Sequence, residues 1–363
     1  MQRFEQQDLF ISGEGGYVRY RIPALAVTTA GTILAFCEAR KYTGRDSDQI
    51  DLFLRRSFDD GHTFEDVQLV ATEDGWVCGN PAPVVDRQTG TIWLPFCKNL
   101  EHGDETMICE GKAPRTVWLT HSDDDGATWA EPREITAQVK RHDWSWYATG
   151  PCHGIQLATG RLVVPCDHIV LRDRSRDDPH HSHVIYSDDH GRTWQIGGIA
   201  DEDTNESTVV ETVGGWLYLN CRNKVVLSEG GNTRAVAWSQ DGGEQFAPTV
   251  HDAALLEPRC QASVCRLSTA GTAGHDRNRV LFSNPASRTR DHLTLRLSYD
   301  ECRTWPEGRV LQAGPAAYSA LCVAGGQSIC CLYERGVDGP YERISLARFN
   351  LAWLTDGRDH LAG

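Results

Sequence analysis

Long apolar segments and an excess of positive charge are both missing from this 363-residue sequence. No run approaches the roughly 20 apolar residues that a membrane-spanning helix needs, so membrane insertion is not expected. Lys and Arg number 36 against 50 Asp and Glu, and the net charge of −14 opposes general attraction to nucleic acid. Because hydrophobic residues make up 40% of the chain, we expect a globular protein with a large core that binds no nucleic acid.

The sequence also lacks a secretory signal and paired cysteine motifs. Its first residues, MQRFEQQDLFISGEGG, have neither the basic start nor the apolar segment of a signal peptide. We therefore expect a cytoplasmic protein, or a secreted one if a signal has been removed. The 13 cysteines show no CxxC spacing, and several lie in apolar runs such as IWLPFC and SICCLYE. Such thiols behave as small buried hydrophobes, so they are predicted to be reduced and structural.

Sustained helical periodicity is absent as well. In its place are short apolar or alternating runs bounded by Gly, Pro or Asp, such as GTILAFCEAR, IDLFLRRS and GTIWLPFC. Runs of this kind predict strands of about 4 to 8 residues.

A turn motif, SxDxGxT followed by an aromatic residue, recurs along the chain. The three full copies are Ser57, Asp59, Gly61, Thr63 and Phe64; Ser122, Asp124, Gly126, Thr128 and Trp129; and Ser187, Asp189, Gly191, Thr193 and Trp194. Two weaker copies begin at Ser239 and Ser298, with Gln245 in the Thr place and Cys302 in the Gly place. Each copy predicts a β-hairpin turn, because Asp can accept bonds from nearby backbone N–H groups and Gly tolerates an otherwise strained φ.

The spacing of these turns predicts the architecture. Their serines lie 65, 65, 52 and 59 residues apart, which suits four short strands plus loops per unit. Units of about 60 residues divide the chain into about six. We therefore predict an all-β fold, a six-bladed β-propeller of four-stranded antiparallel blades, as a single domain over residues 1–363. The sixth blade, which lacks the turn motif, is expected to combine both chain termini.

Several motifs in a fixed order resemble one family. YRIP at 20–23, EAR at 38–40 and the five Asp-box turns are similar to the exo-sialidase (neuraminidase) family of six-bladed propellers. The similarity runs from about Arg19 to Glu334. Further matching stretches are GNPAPVVD at 79–86, NESTVVE at 205–211, LYLNCR at 217–222, FSNPA at 282–286 and AYS at 317–319.

The resemblance implies an enzyme that hydrolyses terminal α-linked sialic acids from glycoconjugates or oligosaccharides with retention of configuration. It implies Tyr318 as nucleophile, Glu206 as the base that takes the phenolic proton, and Asp46 as general acid/base. A tyrosine suits a substrate with a carboxylate at the reacting carbon, since an anionic nucleophile would be repelled. The base is needed because the pKa of free Tyr is about 10. Within GRDSDQID, Asp48 and Asp51 are alternatives to Asp46.

The substrate carboxylate calls for arginine, whose planar guanidinium forms paired hydrogen bonds with a carboxylate. The resemblance implies Arg21, Arg222 and Arg290 as the residues that hold it, with Arg288 as an alternative for the third.

Two further residues are assigned around these arginines. Arg40 resembles an extra arginine of the same pocket, although an ion pair with Glu38 or Asp46 is the alternative interpretation. Glu334, 16 residues after Tyr318, matches the family's glutamate that orients Arg21.

Four other residues are candidates for binding the rest of the sugar. Asn80 and Asp86 are candidates for the glycerol or ring hydroxyls, although Asn80 before a proline is equally typical of a turn. Trp146 lies in the aromatic segment WSWY, which could receive an N-acyl group or stack on an aglycone. Gln261 occupies a place where the family often has a polar pocket residue.

No metal or organic cofactor is expected. His180, His181 and His183 in DDPHHSH include common zinc ligands, but without an HExxH pattern they are interpreted as a solvated polar loop. Walker and dinucleotide motifs are missing, so nucleotide chemistry has no support.

Two other functions are kept as alternatives. A trans-sialidase would use the same catalytic residues, and residues 144–147 could form its acceptor subsite. A non-catalytic glycan- or protein-binding propeller would be expected to have lost Tyr318, Glu206 or Asp46, and all three are present.

Overall fold

A computed structural model describes residues 1–224, 232–325 and 328–361. The predicted all-β fold is confirmed within these residues. The first strands are β1 (Phe4–Ile11), β2 (Arg19–Val27), β3 (Ile33–Arg40), β4 (Ile50–Ser57), β5 (Gln68–Ala71), β6 (Trp76–Gly79), β7 (Val84–Val85), β8 (Ile92–Leu100), β9 (Thr116–Ser122) and β10 (Arg133–Glu134). The middle strands are β11 (Trp144–Thr149), β12 (Ile155–Gln156), β13 (Leu162–Val170), β14 (His180–Ser187), β15 (Gln195–Glu202), β16 (Thr204–Glu211), β17 (Leu217–Asn223), β18 (Asn232–Ser239) and β19 (Val250–Glu257). The last strands are β20 (Ser263–Ser268), β21 (Arg279–Pro285), β22 (Asp291–Ser298), β23 (Glu307–Val323), β24 (Ile329–Arg335) and β25 (Arg343–Phe349).

Helices are few and short. They are α1 (Glu105–Cys109), α2 (Thr136–Val139) and α3 (Leu351–Leu354). The Asp104 carboxylate caps α1 by accepting from the Met107 N–H at 2.9 Å. Among the described residues, no helix is long and apolar enough to cross a membrane.

The strands form four hydrogen-bonded sheets in which chain neighbours pair mostly antiparallel. A nine-stranded sheet contains β2 to β10, a five-stranded sheet β11 to β15, a four-stranded sheet β16 to β19, and a seven-stranded sheet β20 to β25 together with β1. β1 pairs with β25, so both chain termini meet in one sheet, as expected. Because these sheets number four, the count of six blades stays a prediction.

The five Asp-box turns share one pattern of hydrogen bonds. In the first turn, the Ser57 hydroxyl donates to Asp59 at 2.9 Å and accepts from the Gly61 N–H at 2.9 Å. The fifth turn repeats this pattern around Ser298, although Cys302 there adopts a φ of 68° that favours glycine. The side-chain network therefore preserves the turn where its glycine is missing.

The core lies between successive sheets and contains most of the thiols. All 13 cysteines are free, and all except Cys265 are buried. This confirms the prediction that they act as small hydrophobes. β3 illustrates the packing, since all its residues from Ile33 to Arg40 are buried.

Gly191 provides a test of how tightly a turn packs on the neighbouring sheet. Its φ is +82°, and an added Cβ would lie 2.2 Å from the Trp93 ring, whereas Gly215 has φ +76° with nothing within 4 Å. We expect Gly191→Ala to lower the free energy of unfolding by at least about 2 kcal/mol more than Gly215→Ala, which costs only backbone strain. Urea unfolding of both variants measures this difference. Equal losses would contradict the packing described.

Candidate active site

Two cavities lie at opposite ends of the same inner strands. One, of about 570 Å³, is bordered by the later residues of β2, β16 and β23, among them Val27, Val209 and Val323. The other, of about 240 Å³, is bordered by earlier residues of the same strands, and it is far more polar. The polar cavity collects nine of the predicted site residues, namely Arg21, Arg40, Asp46, Asn80, Trp146, Glu206, Arg222, Arg290 and Tyr318.

Tyr318 and Glu206 form the centre of this pocket. The Tyr318 hydroxyl donates to Glu206 Oε1 at 2.5 Å, and both residues are buried. Arg222 Nη1 donates to Glu206 Oε2 at 2.8 Å and to the Tyr318 oxygen at 3.1 Å. Burial, followed by the charge of Glu206, raises the pKa of Tyr318 well above its usual value. The phenol therefore keeps its proton, and the Glu206 carboxylate is in place to accept it.

Glu334 lies beneath the pocket wall and connects Arg21 to the strand of Tyr318. Its carboxylate is fully buried and accepts from Arg21 Nε at 2.8 Å, from the Ile22 N–H at 2.9 Å and from the Tyr318 N–H at 3.1 Å. Burial alone would lower the pKa of Arg21, but the charge of Glu334 raises it above the usual value. Arg21 therefore stays charged inside the protein.

Arg40 lies between two carboxylates. Its guanidinium contacts Glu38 Oε2 at 2.6 Å and Asp46 Oδ1 at 2.6 Å, so both ion pairs considered from the sequence are present. The Asp46 side chain is 79% exposed at the pocket mouth. The charge of Arg40 first, and that of Arg21 in addition, lowers the pKa of Asp46 to about 2. Asp46 is therefore ionised at neutral pH.

The two alternatives to Asp46, which are Asp48 and Asp51, accept hydrogen bonds from other parts of the structure. Asp48 is buried and accepts from the backbone N–H groups of Tyr42, Thr43 and Gly44, which shapes the loop. Asp51 accepts from the Tyr17 and Thr72 hydroxyls. Only Asp46 of these three carboxylates borders the pocket.

Arg290 rather than Arg288 borders the pocket. Its Nη1 donates to the Tyr341 hydroxyl at 2.6 Å, and its Nη2 donates to the Arg259 carbonyl at 3.2 Å. Its guanidinium also lies 5.3 Å from the centre of the Tyr318 ring. Arg21, Arg222 and Arg290 therefore approach the Tyr318 side chain from different strands and loops.

Asn80 and Trp146 share a partner that sequence reasoning missed. Arg115 Nη2 donates to Asn80 Oδ1 at 2.6 Å, and the Arg115 guanidinium lies 4.2 Å from the centre of the Trp146 ring. Asn80 also adopts φ 58°, as a turn residue can. Arg115 stands in APRTVW with no motif around it, so the sequence carried no signal for it.

Asp167 is a second missed residue of the pocket wall. Its carboxyl is fully buried and accepts from Asn205 Nδ2 at 2.9 Å. Burial raises the pKa of Asp167 well above its usual value, because it disfavours the charged carboxylate. An acidic residue inside the apolar run LVVPCDHIV was the available signal, since such a residue is rarely buried without a reason.

Two predicted substrate-binding residues lie outside the pocket. Asp86 is fully buried and accepts from Gln156 Nε2 at 2.8 Å and from the Gln88 N–H at 2.9 Å. Gln261 is also fully buried, and it donates to the Ser319 carbonyl at 2.9 Å and accepts from the Ser319 N–H at 3.0 Å. These positions correct both predictions. Asp86 stabilises a turn, and Gln261 supports the strand of Tyr318 from below.

The histidine segment also differs from its prediction as a solvated loop. His180, His181 and His183 belong to β14, and His180 and His183 are buried. The His183 and His168 Nδ1 atoms lie 3.0 Å apart, and burial lowers the pKa of His183 to about 3. This segment is therefore a strand that pairs with β13, and two of its histidines are buried although their rings are polar. Within the described ranges, no group of three or more His, Cys, Asp or Glu residues could hold a metal ion.

Comparisons with known proteins match most of the chain. The BNR repeat-like domain family matches residues 31–330. The chain is 34% identical over 372 residues to a sialidase of Micromonospora viridifaciens, covering 97% of this chain and 54% of that protein. It is 31% identical to the exo-alpha-sialidase of Aspergillus fumigatus, covering 94% of this chain and 86% of that protein. The chain thus spans about half the length of the first relative and most of the second.

Solved structures are similar over nearly the whole chain. The Hadza microbial sialidase Hz136 has a TM-score of 0.85 at 30% identity and covers 96% of this chain and 69% of that one. The intramolecular trans-sialidase of Ruminococcus gnavus has a TM-score of 0.80 at 18% identity, covering 96% of this chain and 98% of that one. The second likeness concerns the fold alone.

The buried pair of Arg21 and Glu334 generates a stability prediction. Glu334→Gln removes the charge that compensates a buried guanidinium, so we expect the free energy of unfolding to fall by about 3 kcal/mol. Glu202→Gln is the matched control, because Glu202 pairs with Arg172 on the surface, where both side chains are more than half exposed. That change should cost at most about 1 kcal/mol. Urea unfolding compares the two, and similar losses would argue against a dominant buried pair.

Proposed function

The chain belongs to the sialidase family of glycoside hydrolases, and we propose that it is an exo-sialidase acting on terminal α-linked sialic acids. The observation that carries this proposal is the Tyr318–Glu206 hydrogen bond of 2.5 Å inside a pocket bordered by Arg21, Arg222 and Arg290. This arrangement supplies a nucleophile, its base and a carboxylate site together. A non-catalytic propeller would have no need to keep all three.

Substrate binding is proposed to begin with the sugar carboxylate. Arg21, Arg222 and Arg290 present guanidinium groups to one small pocket, and such groups bind carboxylates through charge-assisted hydrogen bonds. The net charge of −14 is spread over the whole protein. Inside a pocket the nearby guanidinium groups are poorly screened, so they outweigh that diffuse charge.

The first displacement forms a bond between the Tyr318 oxygen and the anomeric carbon. The phenolic proton passes to Glu206, which already accepts its hydrogen bond. Protonated Asp46 gives its proton to the glycosidic oxygen as the bond to the aglycone breaks. The aglycone leaves as an alcohol, and a tyrosyl-sialoside intermediate remains.

The second displacement returns the enzyme to its starting state. Ionised Asp46 takes a proton from water, and the resulting hydroxide attacks the anomeric carbon as the bond to Tyr318 breaks. Glu206 gives its proton back to the phenolate. Each displacement inverts the anomeric centre once, so the product keeps the configuration of the substrate.

Asp46 must be protonated before the first displacement, although Arg40 and Arg21 lower its pKa to about 2. A substrate carboxylate bound at Arg21 would offset part of the positive charge that keeps Asp46 ionised. Binding is therefore proposed to raise the pKa of Asp46.

Hydrolysis is proposed rather than transfer to another sugar. The curated relatives described above carry sialidase names, whereas the likeness to a trans-sialidase at 18% identity concerns the fold alone. The substrates we propose are sialic acid-containing glycans or sialosides, and the reaction is proposed to need no metal or organic cofactor.

The six-blade architecture is part of the proposal. The five Asp-box turns connect β4 to β5, β9 to β10, β14 to β15, β18 to β19, and β22 to β23, so each marks the outer hairpin of one strand group. The sixth group comprises the second half of β23, β24, β25 and β1. The long strand β23 would serve two blades, pairing with β22 through its first half and with β24 through its second.

A reducing compartment such as the cytoplasm is proposed for this protein. All 13 cysteines are free, and 12 of them are buried. Oxidising compartments favour disulfide-bonded cysteines instead.

Release of a fluorogenic aglycone from an α-sialoside tests the proposed activity. We expect turnover by the wild type with and without EDTA, and a loss of at least about 100-fold in Tyr318→Phe because the nucleophile is removed. Tyr186→Phe is the matched control, since Tyr186 lies on β14 beside Arg161 and away from the pocket. Absence of wild-type turnover, or full activity in Tyr318→Phe, would contradict the proposal.

The leaving group provides a separate test of Asp46. Asp46→Ala should lose about 100-fold or more in kcat/KM on sialyl-lactose, whose sugar oxygen needs protonation. The loss should be much smaller on a 4-nitrophenyl sialoside, which leaves readily as the anion. Equal losses on both substrates would assign the general-acid role to another group.

A further inference from the structure

Tyr341 contacts two of the three arginines proposed to bind the substrate carboxylate. Its hydroxyl accepts a hydrogen bond from Arg290 Nη1 at 2.6 Å. The face of the same ring lies 4.2 Å from the Arg21 guanidinium carbon, within the range of a cation–π contact. The Tyr341 side chain therefore contacts both Arg21 and Arg290, which lie far apart in the sequence.

Arg290 differs from the other arginines of the pocket in how its charge is balanced. Arg21 is paired with Glu334, Arg222 with Glu206, and Arg40 with two carboxylates. In the described part of the chain, no carboxylate lies within 4.0 Å of the Arg290 nitrogens. Its acceptors are the neutral Tyr341 hydroxyl and a backbone carbonyl. Arg290 is thus oriented without being neutralised.

The backbone around Tyr341 is fixed by hydrogen bonds to neighbouring side chains. Glu342 Oε1 accepts from the N–H groups of Val337, Asp338 and Gly339, with distances between 2.7 and 3.1 Å. The Ser12 hydroxyl donates to the Tyr341 carbonyl at 2.8 Å. A loop held in this way keeps the phenol in one place, so that the arginines can be positioned against it.

From these contacts we infer that Tyr341 is a positioning residue that sets the separation of Arg21 and Arg290 and preserves the charge of Arg290 for the ligand carboxylate. The inference rests on the proposed function. A carboxylate at this position would also hold Arg290, but it would cancel the charge that the substrate needs. A phenol supplies an acceptor oxygen for one arginine and an aromatic face for the other, and it remains neutral.

The experiment compares a charged ligand with an uncharged one in two variants. The ligands are 2-deoxy-2,3-didehydro-N-acetylneuraminic acid and its methyl ester, which lacks the negative charge. Tyr341→Phe removes the hydroxyl and keeps the ring, whereas Tyr341→Leu removes both. Tyr186→Phe is the matched control, because the Arg161 guanidinium lies 4.0 Å from the Tyr186 ring outside the pocket. Inhibition constants, KM, kcat and melting temperature are measured for each protein.

Tyr341→Phe should bind the acid at least about threefold more weakly, the effect of one lost hydrogen bond, with little change for the ester. Tyr341→Leu should bind it about tenfold more weakly or worse, since the contact with Arg21 is lost as well. In both variants KM should rise more than kcat falls, because the carboxylate is bound in the ground state and the transition state alike. Tyr186→Phe should match the wild type.

Two results would overturn the inference while leaving the proposed function in place. One is wild-type affinity for the acid in both Tyr341 variants. The other is an equal loss for acid and ester together with a lower melting temperature, which would indicate a structural role only. Absence of sialoside turnover by the wild type would overturn the proposed function, and the inference with it.

Discussion

Several guanidinium groups repel one another when they share a small pocket, and the charges cost free energy unless nearby groups compensate or hold them. The candidate active site depends on groups that compensate or hold these guanidinium charges. Glu334 is fully buried and pairs with Arg21, while Glu206 pairs with Arg222. Arg290 is held by neutral acceptors instead. The cluster therefore keeps a positive charge for an anionic ligand without leaving every arginine uncompensated.

The same pairs that hold the arginines also contact Tyr318, the proposed nucleophile. Glu334 accepts hydrogen bonds from both Arg21 and the Tyr318 N–H, so one carboxylate holds this arginine and the strand of the phenol. Glu206 bonds to both Arg222 and the Tyr318 hydroxyl. A shift of either arginine would thus be transmitted to the phenol.

Local patterns in the sequence predicted the strands and the five turns, and the family resemblance implied the residues that approach Tyr318. These features depend on short-range chemistry, such as Asp and Gly in a hairpin, or on motifs in a fixed order. Arg115 and Tyr341 were not predicted because their partners come from distant parts of the chain. Arg290 and Tyr341, for example, are 51 positions apart. For three polar residues the prediction was wrong because their partners lie inside the protein. Asp86, Gln261 and His183 look suited to solvent or ligand, yet each is fully buried with polar partners inside the protein.

The central claim is that Tyr318 becomes covalently attached to the sugar. A 2,3-difluorosialic acid reagent forms the intermediate and slows its breakdown, because fluorine disfavours the positive charge that develops at the anomeric carbon. Intact-protein mass spectrometry followed by peptide mapping should find one sugar attached to Tyr318 in the wild type and none in Tyr318→Phe. A label on Glu206 or Asp46, or no label in a protein that turns over sialosides, would contradict the account.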